Sequence, residues 1–373
     1  MDFTLNEDQQ AISDLAGRIL RDKLPPERLR AIEAEPDWFA ADAWTELAKA
    51  NLLGVALPDD VGGGGFGLFE ACLVLEQIGR TVAPVPYLAT LLLGALPIDA
   101  FGSAELRRRY LPSVVDGTLL LSAALAEDGS ILVPAIPATV ATRNGEGWRL
   151  DGVKHFVSAA HLAARLLVPA RTGPTSVGVF LIDPRAAGVH LERVETTARE
   201  PQFTVTLAGT PVPSSDALGD PSQGAAIVEW TVQRALAGLC ATQAGVCDAA
   251  LRLTATHVSE REQFGVKIAT FQAVAQRAAD AYIDSEAVML TARQAAWRLS
   301  AGLPADEALA VAKFWAAEGG QRVAHAAQHL HGGIGVDTEY PLHRYFRWSK
   351  QLELTLGGAT VHLQRLGARL AAR

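Results

Sequence analysis

The amino-acid sequence predicts an α+β protein in which a β region separates two helical regions. Apolar residues recur at helical spacing up to about residue 117, alternate with polar residues in the next hundred residues, and then return to helical spacing. With 373 residues, 49% of them hydrophobic, the chain can bury a large core and form more than one domain. We therefore predict an N-terminal helical domain (1–117), a central antiparallel β domain (118–217) and a C-terminal four-helix-bundle domain (218–373).

The N-terminal region predicts four helices, because four segments with apolar residues at helical spacing are separated by Pro and Gly. These segments are 6–22, 40–53, 67–80 and 103–111.

The central region predicts short strands. NGEGWRLDGVKHFV (144–157) alternates apolar and polar residues across a glycine-bearing turn, which indicates a β-hairpin. Further strands with β-branched residues are predicted at 177–183, 189–195 and 203–209.

The C-terminal region predicts long helices. One apolar stripe with alternating spacings of three and four is typical of a helix in a bundle. The stripe consists of Phe271, Val274, Ala278, Ala281, Ser285, Val288, Ala292, Ala295 and Leu299. A second helix is predicted over 305–330, with Asp306 near its start and two glycines, Gly332 and Gly333, just past its end.

Composition excludes several classes of protein. The net charge of −8 and the absence of a basic block argue against a nucleic-acid-binding protein. Cys72, Cys240 and Cys247 form no CxxC pair and no disulfide framework, which fits a reducing compartment. The N-terminus is acidic and polar, unlike a signal peptide, and the longest apolar runs are too short to span a bilayer. We expect a cytoplasmic protein that does not interact with membranes.

Two motif matches are better explained by structure than by chemistry. Gly62, Gly64 and Gly67 fit G-x-G-x-x-G, but two aspartates and a proline precede them where a dinucleotide fold needs a strand, so a loop between helices is predicted. His325 and His329 lie four residues apart, but no third ligand stands in register, so no metal site is predicted.

The stretch REQFG (261–265) has two interpretations. Locally, Arg261 is a solvated arginine after a helix, and Phe264 belongs to a turn between two long helices. Functionally, a guanidinium beside an aromatic ring at a helix junction can hold a diphosphate. The local pattern alone favours the first interpretation.

Five motifs follow one another along the chain in a characteristic order and spacing. They are GVKHFVS (152–158), REQFG (261–265), FQAVAQR (271–277), HGGIG (331–335) and the terminal LQRL. In this order the chain resembles the acyl-CoA dehydrogenase family over essentially its whole length. The resemblance implies that family's helix–β–helix fold and a tetramer that binds FAD at subunit interfaces. It also implies α,β-dehydrogenation of an acyl-CoA thioester: a carboxylate removes the α-proton, the β-hydrogen leaves as hydride to the flavin, and electron transfer flavoprotein collects the electrons.

The catalytic base implied by this resemblance is missing. The family's usual base is the Glu of a Tyr-Glu-Gly-Thr turn before the last helix, whereas the aligned positions in LTLGGAT (354–360), Leu356 or Gly358, accept no proton. Some relatives place the Glu immediately before an arginine, where this chain has Gln233. We predict no catalytic residue. The fallback is Glu229, one turn before Gln233 on the same helix face, although a capping or surface carboxylate in the first turn of the helix is the favoured interpretation of Glu229.

The resemblance also implies which residues contact FAD. The flavin-covering loop corresponds to LAEDGSILV (125–133), where Glu127, Gly129 and Ser130 remain but the family's Pro and small residues do not. Residues that the family contributes across the subunit interface are better kept. They are Arg261, Phe264, Gln272, Gly332 and Gly333, with His329 where the family has Gln. Ser158 in GVKHFVS either contacts a flavin or belongs to the β structure alone.

These differences predict a chain that donates half of a FAD site to a larger partner subunit carrying the Glu, in an α2β2 enzyme. The sequence HGGIGVDTEYPLHRYF…LGGAT resembles that of the shorter, base-lacking subunit of actinobacterial enzymes that act on steroid side-chain CoA thioesters. The alternatives are a homotetramer that uses Glu229, a flavin-free scaffold subunit, and an oxidase or monooxygenase with the same fold.

Overall fold

Helices and strands follow the predicted order in the computed structural model, which describes residues 3–372. The helices are α1 (Glu7–Lys23), α2 (Pro26–Ala34), α3 (Ala41–Lys49), α4 (Leu68–Thr81), α5 (Leu96–Phe101), α6 (Ala104–Val115), α7 (Gly224–Glu260), α8 (Gln272–Ser300), α9 (Asp306–Phe314), α10 (Gly320–His331), α11 (Leu342–Leu354) and α12 (Ala359–Ala371). The predicted fold class is confirmed: helices flank a central β-sheet along the chain.

The helix ends follow local chemistry. Asn6 and Gln9 form a capping box in which each side chain bonds the other residue's backbone N–H, so α1 begins directly after Asn6. The predicted helix 40–53 is shorter in the structure, because Asn51 adopts a left-handed conformation (φ 55°) just beyond α3.

The strands are β1 (Leu121–Ala123), β2 (Val140–Asn144), β3 (Gly147–Ser158), β4 (Arg165–Arg171), β5 (Val177–Ile182), β6 (Val189–Val194), β7 (Gln202–Pro213), β8 (Glu262–Gln263) and β9 (Val266–Lys267). The large sheet has the order β1-β4-β2-β3-β7-β6, and β5 also pairs with β4. Its pairings are antiparallel except that β1 and β2 run parallel to β4. The predicted hairpin is β2–β3, with Asn144 opposite Gly147.

The described residues form two units. One unit contains the chain up to Leu29, Leu68–Ala83 and the chain from Leu236 onward. The other contains Arg30–Gly67 and Pro84–Ala235, and therefore the whole large sheet. A large cluster of buried apolar side chains in this unit includes Leu150, Val168 and Phe180.

In the helical unit, the apolar stripe of α8 is buried as predicted at Ala281, Ser285, Val288, Ala292 and Ala295. The predicted helix over 305–330 contains a π-helical segment, Trp315–Gly319, between α9 and α10. Spacing in the sequence does not show this wider turn, because it inserts one residue without ending the helix.

Among the described residues, no helix is long and apolar enough to cross a membrane.

Candidate functional site

Arg261 lies at the junction between α7 and a small hairpin. Its backbone N–H donates to the carbonyl of His257 (2.9 Å), and its carbonyl accepts from Ile268 (2.9 Å). The first bond joins Arg261 to the last turn of α7, and the second closes the β8–β9 hairpin at its base. The exposed guanidinium forms no ion pair with any of the described carboxylates. It is therefore available to an anion from outside the chain.

Phe264 and Gly265 form the tip of this hairpin, both with positive φ (55° and 80°). The Phe264 side chain is 93% exposed and contacts the ring of Phe271 edge-on, with ring centroids 6.2 Å apart. A left-handed phenylalanine costs about 1–3 kcal/mol, and an exposed ring gains no burial to offset it. Such a side chain indicates a binding role. Gln272, the first residue of α8, is exposed next to Phe271.

Gly332 and Gly333 follow α10 and present bare backbone. Gly332 has φ 62° and ψ −140°, and its N–H bonds the carbonyl of Gln328. A Cβ added at either glycine would contact nothing within 4 Å among the described residues. The space beside this backbone is open to a ligand.

The Gly332–Gly333 turn and Arg261 are connected by two stacked histidines. The rings of His257 and His331 lie 4.4 Å apart and nearly parallel. Arg261 follows His257 by one helical turn and Gly332 follows His331 directly, so this ring contact lies between the segments that contain Arg261 and Gly332. His257 was not singled out from the sequence, because its contact with His331 depends on how two helices pack.

His329 is exposed on α10, separate from the buried His331. The ring of His325 packs edge-on against Phe346 at 5.1 Å. Among the described residues, no group of three or more His, Cys, Asp or Glu side chains converges on a common point that could hold a metal ion.

In the sheet-containing unit, Glu127 does not face solvent but joins a buried ion pair. Lys154, which is 0% exposed, donates from Nζ to the Glu127 carboxylate at 2.7 Å. The carboxylate also accepts from the Thr139 hydroxyl (2.6 Å), the Thr139 N–H (3.0 Å) and the Ala138 N–H. Burial opposes the charged form, but Lys154 and Thr139 outweigh it, so the pKa of Glu127 is lowered. Through its bonds to Ala138 and Thr139, Glu127 joins the two ends of the loop that contains Gly129 and Ser130.

Phe156 is a candidate ligand-binding residue that the sequence did not indicate. A register shift between Lys154 and Val157 gives Phe156 a positive φ (54°) and leaves its side chain 63% exposed. Ser158, two residues on, accepts a hydrogen bond from the Gln202 amide at 3.2 Å. The sequence does not reveal this bulge, because a bulge changes the alternation of side-chain directions along a strand only locally.

The turn between α11 and α12 contains no proton acceptor at the expected positions. Leu356 and Gly357 both have positive φ (56° and 95°), and Gly358 precedes α12. A Cβ at Gly358 would meet, among residues 3–372, only the Glu353 carbonyl oxygen within 4 Å, at 3.9 Å. The carboxylate of Glu353 is paired with Lys350 at 2.6 Å.

Two buried side chains fix this turn from below. Lys313 donates from Nζ to the carbonyls of Leu352 (2.6 Å) and Glu353 (3.0 Å), and His362 donates from Nε2 to the Leu356 carbonyl (2.9 Å). Burial lowers the pKa of Lys313 to about 8 and that of His362 to about 4. A lysine in the Ala-rich segment ALAVAKFWAA (308–317) was the one sequence signal for this arrangement.

Glu229, the fallback base, is exposed near the start of α7. On the same helix, the Arg234 guanidinium stacks on the Trp230 ring at 3.4 Å and donates to the Trp230 carbonyl. Burial lowers the pKa of Arg234 to about 10.

Comparison with known proteins places these features in one family. The family model "Acyl-CoA dehydrogenase, C-terminal domain" matches residues 222–371, and "Acyl-CoA dehydrogenase, N-terminal domain" matches residues 6–118. The chain is 38% identical to acyl-CoA dehydrogenase FadE27 of Mycobacterium tuberculosis, over 100% of this chain and 99% of the relative.

Solved structures agree with this match. The chain is similar to a variant of the Tcur3481–Tcur3483 steroid ACAD, with 47% identity, a TM-score of 0.91 and 99% of each chain covered. It is also similar to the ChsE4–ChsE5 complex from Mycobacterium tuberculosis, with 38% identity, a TM-score of 0.94 and 100% of each chain covered.

Proposed function

Because the chain belongs to the acyl-CoA dehydrogenase family, we propose that it is a subunit of a FAD-dependent acyl-CoA dehydrogenase which supplies half of a flavin site and no catalytic base. The observation that carries this proposal is the turn before α12. Its backbone is held by Lys313 and His362, yet neither Leu356 nor Gly358 has a side chain that accepts a proton.

The described residues fit a dinucleotide. Arg261 offers an unpaired cation, which suits a diphosphate. Phe264 offers an exposed ring, against which a flat ring can pack. Gly332 and Gly333 offer bare backbone, which lets the ligand approach closely. Gln272 adds an exposed amide beside them. When bound, FAD accepts the hydride of the dehydrogenation.

In this proposal the chain's own residues bind and orient the FAD and take no part in the chemical step. Arg261 binds the diphosphate, and Phe264 covers part of the dinucleotide, both for the partner's active site. His329 is a weaker candidate, since it is exposed on α10 and stands where the family has Gln. The Glu127–Lys154 pair holds the loop at 128–137 in one position.

The partner and substrate are inferred from similar proteins. Two of them are named as pairs, and one is named as a steroid ACAD. We infer an α2β2 enzyme in which a larger subunit carries the Glu, acting on steroid side-chain CoA esters and passing electrons to electron transfer flavoprotein.

The first prediction concerns Arg261. In the complex with a base-carrying partner, Arg261→Ala should weaken flavin retention about 10- to 100-fold, because a charged hydrogen bond contributes about 1.5–3 kcal/mol. Flavin that remains bound after gel filtration gives the measurement. Arg252→Ala is the matched control, since Arg252 lies on α7, the helix that ends just before Arg261, with a side chain 77% exposed. Unchanged retention in Arg261→Ala would favour the flavin-free scaffold.

The second prediction concerns the homotetramer that uses Glu229. Because Glu229 is exposed, we expect Glu229→Gln to leave turnover of the purified complex unchanged. A loss of turnover with normal flavin content would instead identify Glu229 as the base.

A further inference from the structure

His257 has a position that the proposed function does not yet use. It lies on α7, four residues before Arg261, and its carbonyl accepts the Arg261 backbone N–H (2.9 Å), so the two residues are one helical turn apart at the end of that helix. Its ring is half-buried and stacks on His331, which immediately precedes Gly332. His257 is thus the residue that connects the unpaired guanidinium with the bare glycine backbone.

The two stacked histidines differ in their hydrogen bonds. His331 is buried and uses both nitrogens: Nδ1 donates to the Ala327 carbonyl at 2.8 Å, and Nε2 lies 3.0 Å from the Tyr340 hydroxyl, which can donate to it. For His257, by contrast, no ring nitrogen has a hydrogen-bond partner among residues 3–372. If its role were packing alone, a phenylalanine would serve equally well.

The charges around His257 favour an anion. Arg261 is the cation that directly follows α7, and Glu260, the last residue of α7, is exposed to solvent. His331 and Tyr340, on the elements packed against it, bring no negative charge. A protonated His257 would therefore stand beside Arg261 without a buried counter-ion, and a dianionic diphosphate supplies one.

We propose that His257 is a further phosphate-binding residue of this half-site, donating a hydrogen bond to the dinucleotide diphosphate together with Arg261. This inference rests on the proposed function. The unpaired ring nitrogens, the adjacent guanidinium and the open Gly332–Gly333 backbone carry it.

The proposal predicts a direction of pH dependence. Burial and, next, Arg261 lower the pKa of His257 in the flavin-free chain, while Glu260 opposes them. A bound dianion favours the protonated ring, so binding takes up a proton and tightens as the pH falls.

The test uses the flavin-loaded complex and needs no turnover. The rate of flavin release, followed by the rise in flavin fluorescence, should be roughly tenfold slower at pH 6 than at pH 8 in the wild type, the effect of one charge-assisted hydrogen bond. His257→Phe keeps an aromatic ring against His331 but cannot donate, so its release rate should be fast and equal at both pH values. His257→Gln, which can donate without titrating, should release flavin at an intermediate rate that does not depend on pH.

His190→Gln is the control, because His190 is exposed on strand β6 in the other unit. It should behave as the wild type. A wild-type rate that does not change with pH, or a His257→Phe variant that keeps the wild-type dependence, would overturn the inference while leaving the proposed function intact. A complex that carries no flavin at all would instead contradict the proposed function.

Discussion

At the scale of single residues, Lys313 and His362 place two ionisable groups beneath one turn of backbone. Both are buried, at 0% and 1% exposure, and both donate to carbonyls of the segment 352–356. A buried cation is costly unless backbone oxygens satisfy it. The turn is therefore supported by two buried donors, although Leu356 and Gly358 cannot act as a base.

His362 gives a prediction about acid stability. Its pKa is about 4 in the folded chain against an ordinary value of 6.5. Between these values the unfolded chain binds a proton that the folded chain does not, so stability falls as the pH falls from 6.5 to 4. His362→Gln can still donate to the Leu356 carbonyl but does not titrate. As the pH falls from 6.5 to 4, the free energy of unfolding of His362→Gln should therefore decrease less steeply than that of the wild type. The difference in slope should be up to about 1.4 kcal/mol per pH unit.

Urea denaturation of the complex at several pH values measures this slope. His325→Gln, on the exposed face of α10, should keep the wild-type slope. A His362→Gln slope equal to the wild-type one would show that this ring does not govern the acid response.

At the scale of elements, α4 and α7 approach so closely that only glycine fits at two positions. A Cβ on Gly79 would lie 2.0 Å from the Thr242 carbonyl oxygen, and one on Gly245 would lie 1.9 Å from the Glu76 carbonyl oxygen. Since backbone atoms cannot rotate away, the helices would have to separate. The charged side chain of Glu76 adds ion pairs to Arg80 (2.7 Å) and Arg293 (3.3 Å).

We expect Gly245→Ala to destabilise the protein by about 1–3 kcal/mol or more through overpacking. Gly367→Ala, in α12, places the added Cβ more than 4 Å from the other described residues that could obstruct it, and should instead stabilise the protein by about 0.5–1 kcal/mol. Thermal denaturation of the two variants compares them directly. Equal melting temperatures would show that the crossing can relax without cost.

At the scale of the whole molecule, the single chain leaves large apolar side chains in solvent. On α8, Tyr282 and Ile283 are 57% and 62% exposed, and Leu290 is 44% exposed. Apolar patches of this kind usually mark contacts with other subunits. They are consistent with the oligomer that the proposed function requires.

If only the partner supplies a base and each flavin is shared, the complex should bind one flavin for every pair of unlike chains. The isolated chain should bind little flavin and show no turnover. Native mass spectrometry together with flavin absorbance measures both quantities. Full flavin loading and turnover by this chain alone would contradict the proposal.

Local pattern predicted much of the architecture. The helical stripe on α8, the hairpin at β2–β3 and the order of helical and β regions depend on neighbouring residues along the chain, and all are present in the structure. The bounds of the three domains stay predictions. The motif order also led to the correct family, which the family models confirm.

The sequence by itself determined which side chains the chain has: Arg261, Phe264 and the glycines at 332–333 are present, and no acid stands at 356 or 358. Only the tertiary structure decided that His257 stacks on His331, that Lys154 neutralises Glu127, and that Lys313 supports the turn before α12. These contacts join residues 27 to 74 positions apart in the chain. Spacing along the sequence reports only neighbours within a few residues, whereas such pairs form only when folding brings separate elements together.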